Sequence, residues 1–269
     1  MVEAVTLEII FCGTGGARFV VLKQLRATAG FLVKGEASIY VDPGPGALIK
    51  SLELKQDLLK VDALFISHAH IDHSNDSNLI IEAMTNGGKK KRGVLIGSSS
   101  AIEGNERFDR VVSAYHQGMV EKKMVVKAGD RISVKGVEIE ATPTKHEDDS
   151  GVGFKLFSNG KSIGYTGDTD YFPELGKIFS NCDCLILNNL KPAGCHYPGH
   201  LDSGLSIRIL KEAKPKRAVI QHFGMGMLRA GPEAEARLIQ KQTGVETIAA
   251  KDGMVVKIEE GKKLSGFQE

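Results

Sequence analysis

Seven consecutive residues, Ser67-His68-Ala69-His70-Ile71-Asp72-His73, put three imidazoles and a carboxylate into one short stretch of chain. Neutral imidazole nitrogen and carboxylate oxygen are the ligands that zinc-like cations prefer. A lone histidine is more often a core or surface residue, but three with an aspartate at this spacing read as a metal cluster. His146, Asp168 and His222 lie further along, each after an apolar run. Singly, each could be a helix cap, a surface residue or a core residue. Together with the first cluster they make seven candidate ligands: His68, His70, Asp72, His73, His146, Asp168 and His222. Gly167 would let the backbone come close to bound metals.

The elements that must position these side chains are short. Apolar runs bounded by turn residues predict strands over 7–11, 31–33, 38–41, 63–66, 94–96, 137–141, 152–157, 162–165, 185–187, 218–220 and 254–258. Helical patterns predict helices over 47–59, 78–84, 173–179, 203–213 and 232–242, with Pro173 and Pro232 suited to first-turn positions. There is no low-complexity stretch, repeat or linker, so residues 1–269 read as a single domain. Two groups of strands, each with helices, suit an α/β fold of two sheets packed face to face with helices outside. The candidate ligands then fall at strand ends and in the loops that follow.

Composition adds exclusions. A 42% hydrophobic and 25% charged chain is neither disordered nor membrane-resident in character. No run approaches the roughly eighteen apolar residues of a membrane span. The start, Met1-Val2-Glu3-Ala4-Val5, lacks a signal peptide's basic and apolar regions, so a cytoplasmic location is expected. A net charge of +2 does not argue for nucleic acid, and Lys89-Lys90-Lys91-Arg92 reads as a solvated loop. The cysteines at 12, 182, 184 and 195 match neither a zinc ribbon nor a disulfide scaffold. Cys182 and Cys184 read as buried thiols, and His116 as a structural residue.

The motif His68-Ala69-His70-Ile71-Asp72-His73, followed by His146, by Asp168 within Thr166-Gly167-Asp168-Thr169, and by His222, resembles the metallo-β-lactamase superfamily of metallohydrolases. The resemblance covers nearly the whole chain and implies a four-layer αβ/βα sandwich with two metals at the edge of its sheets. By that resemblance His68, His70 and His146 hold one metal, Asp72, His73 and His222 hold the other, and Asp168 bridges them. Two such cations would share a water and lower its pKa from about 15.7 toward neutrality. Zinc is the expected metal, with Mn2+ or Fe2+ acceptable to the same ligands. Family diiron flavoproteins carry Glu where this chain has His70, and some lactamases carry Cys where it has Asp168. Oxygen reduction and β-lactam hydrolysis are therefore not expected.

Phe11-Cys12-Gly13-Thr14-Gly15-Gly16-Ala17 is similar to the glycine turn of ribonuclease Z and cyclic-phosphate phosphodiesterases. Its amides could approach phosphate, or it could be simply a tight turn. Asp42, in Tyr40-Val41-Asp42-Pro43-Gly44, is expected to support the metal loop rather than to ligate. His200, in Pro198-Gly199-His200-Leu201-Asp202-Ser203, matches the histidine that phosphodiesterase members place at the scissile phosphate; the alternative is a cap for the following helix. Asp72 and His200 are the candidate catalytic residues. Lys191, His196 and Tyr197, on a predicted loop over 188–197, could read a substrate or be ordinary surface. The stretch between Asp168 and His200 is too short for a tRNA-gripping arm. The expectation is a dinuclear phosphodiesterase acting on a small-molecule cyclic phosphate or a nucleic-acid end, with no membrane partner and with a homodimer compatible. The rivals are a thioester or lactone hydrolase with the same ligands, and a non-catalytic nucleic-acid-binding member of the fold.

Overall fold

A computed structural model describes residues 7–258. The segment Met1 to Val5, read above for a signal peptide, lies outside the described residues. The first sheet contains β1 (Leu7–Phe11), β2 (Phe31–Lys34), β3 (Ser38–Val41), β4 (Ala63–Ile66), β5 (Val94–Gly97) and β6 (Lys122–Val125), and is completed by β15 (Val255–Ile258). Its order is β15-β1-β2-β3-β4-β5-β6. The second sheet contains β7 (Arg131–Val134), β8 (Val137–Pro143), β9 (Val152–Ser158), β10 (Lys161–Tyr165), β11 (Cys184–Lys191), β13 (Arg217–Gln221) and β14 (Glu246–Ala249), in the order β14-β13-β11-β10-β9-β8-β7, with the short β12 (Leu201–Asp202) on β11. Each sheet is half antiparallel and half parallel: β3 through β6 run parallel, as do β10, β11, β13 and β14.

Side-chain alternation along the strands builds three cores. In β4, Ala63 and Phe65 face the second sheet while Leu64 and Ile66 face helices; in β1, Ile9 and Phe11 face inward and Ile10 outward. Strands covered on both faces are thus apolar throughout rather than alternating. Helices α2 (Ala47–Glu53), α4 (Ser77–Met84) and α5 (Ser99–Ile102) cover the outside of the first sheet. Helices α7 (Leu175–Ile178), α8 (Ser203–Ala213), α9 (Met225–Ala230) and α10 (Pro232–Thr243) cover the second. The result is the expected αβ/βα sandwich. The remaining helices, α1 (Arg18–Lys23), α3 (Ile71–Ser74) and α6 (Ala114–Gln117), are single turns or little more. No helix among the described residues is long and apolar enough to cross a membrane.

Several boundaries differ from the sequence-based expectation. The helix expected over 47–59 ends at Glu53, because Lys55 takes a left-handed φ of 54° and a separate 3₁₀ turn follows at Leu58–Lys60. Pro173 precedes rather than opens its helix, which starts at Leu175, whereas Pro232 does occupy the first turn of α10. The loop expected from residue 188 begins later, since β11 continues to Lys191 and buries Asn188 and Asn189.

Phe154 of β9 packs edge-on to Phe65 of β4 at 5.0 Å and is tilted on Tyr165 of β10 at 5.3 Å, so it bridges the two sheets at their centre. Phe154→Ala is expected to cost about 3–5 kcal/mol of unfolding free energy. A denaturant titration of the purified variant checks this.

Candidate metal centre

The seven candidate ligands come from four segments that leave the sandwich at one edge. His68 follows β4, His146 follows β8, Asp168 follows β10 and His222 follows β13. Three of these four strands belong to the parallel halves, whose carboxyl ends are where α/β sheets place ligand sites. The loop after β4 is held by Asp42: Ser67 N donates to Oδ1 at 2.7 Å and Ser67 Oγ donates to Oδ2 at 2.7 Å. A second buried carboxylate, Asp148, accepts from Ala69 N at 3.0 Å and from the Ser100 and Ser150 hydroxyls.

Three imidazoles meet first. His68 Nε2 lies 3.0 Å from His70 Nδ1, which lies 3.0 Å from His146 Nε2. Ser67 Oγ already gives its proton to Asp42, so it accepts from His68 Nδ1 at 2.9 Å. His146 Nδ1 donates to Gly199 O at 2.9 Å. Both rings therefore carry the neutral-form proton on Nδ1, and their bare Nε2 lone pairs point at a common position. Burial holds His68 well below the usual histidine range, reinforced by the charge on His73. Burial likewise lowers His70 and His146. A proton on His70 Nδ1 can serve only one of the two bare Nε2 atoms, whereas a cation at the common position would satisfy all three nitrogens, and this donor set fits one.

The second group is charged. His73 Nε2 lies 3.1 Å from His222 Nε2, and Asp72 Oδ2 lies 3.3 Å from the same atom. His73 Nδ1 donates to Asp42 at 2.9 Å, fixing that ring in the same sense. Burial alone would lower His73, but the charges of Asp168 and Asp72 overcome it and hold the ring well above its usual value. Burial would raise Asp168, and His222 and His73 instead keep it well below the carboxylate range. Asp168 Oδ2 faces His73, His222 and His200 at 3.4, 3.3 and 3.3 Å. Groups of donor atoms within 4.8 Å of one another form around His68/His70/His146 and around Asp72/His73/His222, with Asp168 adjoining both through His68 and His73 on one side and His146 on the other.

Residues that the sequence did not single out complete the site. Asn188 Nδ2 donates to Asp168 Oδ1 at 2.7 Å, and Gln221 Nε2 donates to Asn188 Oδ1 at 3.0 Å. Tyr165 reaches Asp42 from the opposite sheet at 2.6 Å. A buried Asn-Asn pair in an apolar strand was the available signal. The glycine turn does not present its amides to a ligand: those of Gly13, Thr14, Gly15, Gly16 and Ala17 donate to Gly30 O, Asp252, Ala27 O, Phe223 O and Asp72 Oδ2 respectively. A Cβ at Gly16 would fall 2.3 Å from the His222 ring, so this glycine is there for close approach to that imidazole. His222 itself has φ 64°, and its buried Nδ1 has no hydrogen-bond partner.

His200 does not cap the following helix, because Asp202 fills that role by accepting from Leu205 N at 2.8 Å. Instead its Nε2 points at Asp168 from a cleft of about 340 Å³ that also presents Arg18, Phe19, Ile71, Lys191 and Tyr197. His196 is paired with Asp170 at 3.0 Å, and His116 lies apart with Ser113 and Glu82. Cys182 and Cys184 are buried, which pushes their thiols up to about 11 and about 12.

A two-sheet αβ/βα sandwich with a histidine and aspartate cluster at one edge defines a metallohydrolase architecture. Residues 37–223 match the beta-lactamase superfamily domain, and the chain belongs to that superfamily. An uncharacterized protein of Methanocaldococcus jannaschii is 40% identical over 95% of this chain and 97% of its own. A UPF0173 metal-dependent hydrolase of Thermoplasma acidophilum is 26% identical over 76% of this chain and 84% of its own. A ribonuclease Z of Methanosarcina acetivorans is 25% identical over 57% of this chain and 49% of its own. Among solved structures, the metallo-β-lactamase fold protein YhfI from Bacillus subtilis superposes with a TM-score of 0.77 at 20% identity, covering 94% of this chain and 99% of that one. A diphosphatase from the PhnP family gives 0.68 at 19% identity, covering 94% and 98%.

Two outcomes follow. Asp42→Asn, which weakens the acceptor that orients His73 and Ser67, is expected to lower metal affinity about 10- to 100-fold, read by competition with a coloured chelator. A cation taking the His73 lone pair must displace the proton that Asp168 and Asp72 hold there. Apparent metal affinity should therefore fall as pH drops below the raised His73 value, by about tenfold per pH unit for each proton released, as calorimetric titrations at several pH values would show.

Proposed function

We propose that the protein is a dinuclear metal-dependent phosphodiesterase. His68, His70 and His146 would hold one divalent ion, Asp72, His73 and His222 the other, with Asp168 between them. The chemistry such ions supply when bound is acidification of a water and polarisation of the bond it attacks. The observation that carries the phosphodiester reading is His200, whose Nε2 lies 3.3 Å from Asp168 inside the cleft.

His200 is half-buried, which would lower it, yet its hydrogen bond to Asp168 and that carboxylate's charge raise it. Its Nδ1 is committed to Pro198 O at 3.2 Å, so the exchangeable proton sits on Nε2, toward the cleft. An imidazolium so placed stabilises charge on phosphoryl oxygens and donates to a departing alkoxide. The balance is one water consumed and one monoester and one alcohol formed. A bond forms between water oxygen and phosphorus, and the bond from phosphorus to the leaving oxygen breaks. His200 gives its Nε2 proton to that oxygen and regains one from the water. Asn188 keeps Asp168 oriented by occupying its other oxygen. The names of two relatives, a ribonuclease Z and a diphosphatase, support cleavage at phosphorus.

Metal-loaded protein is expected to hydrolyse bis(4-nitrophenyl) phosphate, and chelation to abolish that turnover. Asp168→Ala should lose activity and retain metal poorly. His200→Ala should lower kcat about 10²- to 10⁴-fold with metal content intact. Turnover of a thioester or lactone in place of the diester, or full activity of the His200 variant, would refute the reading.

A further inference from the structure

Resting on the phosphodiesterase reading, we infer that the outer half of the cleft is a nucleotide subsite. It takes a phosphodiester attached to a nucleoside that bears a second phosphate, with Lys191 and Arg18 on that phosphate and Tyr197 under the base.

The charge pattern of the cleft is the starting point. The glycine-turn amides are spent within the fold, so a substrate anion must be met by side chains. On one wall the cation of Arg107 is neutralised by Glu147 at 2.5 Å. Arg18 and Lys191, on the cleft lining, have no carboxylate partner among the described residues. Two unpaired cations beside a centre that already binds one phosphoryl group call for a further anionic group.

Lys191 is also built in place. It is the last residue of β11, its carbonyl accepts from Asn189 Nδ2 at 3.3 Å, and its stem passes alongside Gly226. Its Nζ stands 6.0 Å from the centre of the Tyr197 ring. Tyr197 is in turn tied to the candidate acid: His200 N donates to Tyr197 O at 3.1 Å, and the two rings lie 5.6 Å apart. The Tyr197–His200 turn and the end of β11 thus bring together an aromatic face, an ammonium and the His200 imidazole.

Part of the remaining lining is apolar and open. Phe19 is 65% exposed, Ile71 61% and Tyr197 55%, all facing the same cleft as His200. Large apolar side chains exposed around a concave site mark ligand contact rather than ordinary surface. A base stacks on such an aromatic face irrespective of its identity, while a phosphate on its sugar meets the ammonium and guanidinium. A bare cyclic phosphate offers neither the flat apolar surface nor the second anion.

The test uses three esters with the metal-loaded protein: bis(4-nitrophenyl) phosphate, thymidine 5′-(4-nitrophenyl phosphate), and the latter carrying a 3′-phosphate. The 3′-phosphorylated ester should exceed its unphosphorylated analogue in kcat/KM by about tenfold. Lys191→Gln and Arg18→Gln should each bring that ratio toward one, and Tyr197→Ala should remove the advantage of both thymidine esters over the bis ester. Calorimetry gives a readout without turnover: thymidine 3′,5′-bisphosphate should bind about tenfold more tightly than thymidine 5′-monophosphate, and Lys191→Gln should abolish the difference. Equal kcat/KM for the two thymidine esters, or a ratio unmoved by both charge variants, overturns the inference. If none of the three esters is cleaved, the phosphodiesterase reading fails, and calorimetry alone decides the subsite: a Lys191-dependent preference for the bisphosphate sustains it, and equal binding overturns it.

Discussion

Asp42 accepts four hydrogen bonds at one buried carboxylate: from Ser67 N, Ser67 Oγ, His73 Nδ1 and Tyr165 Oη. The first three donors belong to the loop after β4, and the fourth comes from β10 in the other sheet. A carboxylate taken this far from water is tolerable only when its lone pairs are filled, and here they are filled by groups that also serve the metal centre. The path runs on from Tyr165 through Asn188 to Asp168, and from Ser67 to His68. One hydrogen-bonded chain thereby sets the tautomers of His68 and His73 and the orientation of Asp168, three side chains from two different sheets. Asp42 stands at the end of β3 with φ 51°, a conformation a non-glycine residue keeps only where its surroundings impose it.

Of the two readings open for the glycine turn, phosphate-facing amides or a tight structural turn, the structure bears out the second. An amide-rich turn after a first strand could take an anion, yet every amide from Gly13 to Ala17 has an internal acceptor. Asp252 takes Thr14 N at 2.9 Å and Ala27 N at 2.8 Å, clamping both sides of the turn. Gly16 N donates to Phe223 O and Phe223 N to Thr14 O next to His222, and Ala17 N donates to Asp72 Oδ2. The turn is therefore part of the scaffold of the second ligand group, and the glycines serve steric closeness.

What could be read in the chain follows from how local each feature is. His68 to His73 were legible as candidate ligands because donors carried by one loop stand side by side in the sequence, and β4 was legible because both of its faces are buried. His146, Asp168 and His222 became candidates only in company, each following an apolar run and taking its meaning first from the cluster at 68–73 and then from the family resemblance, since nothing local distinguishes a candidate ligand from a capping or core residue. Asn188, Tyr165 and Asp148 escaped because their partners lie 20 or more residues away, and their meaning arises only when the sheets stack. Strand β6 escaped for the opposite reason: Lys122 to Val125 is largely exposed at a sheet edge and carries no apolar pattern.

The two ligand groups differ in how they reach electrical balance, and that difference has a physical consequence. The His68/His70/His146 group holds its rings neutral by burial, so it presents lone pairs ready for a cation. The His73/His222 side, lying against Asp72 and Asp168, is instead balanced by an internal proton on His73. A cation entering the first group meets little proton competition, whereas one entering the second must displace charge already held in place by two carboxylates. If cations occupy both groups as proposed, the carboxylate-flanked group is expected to bind with the stronger dependence on pH, because there a proton must leave as the cation enters.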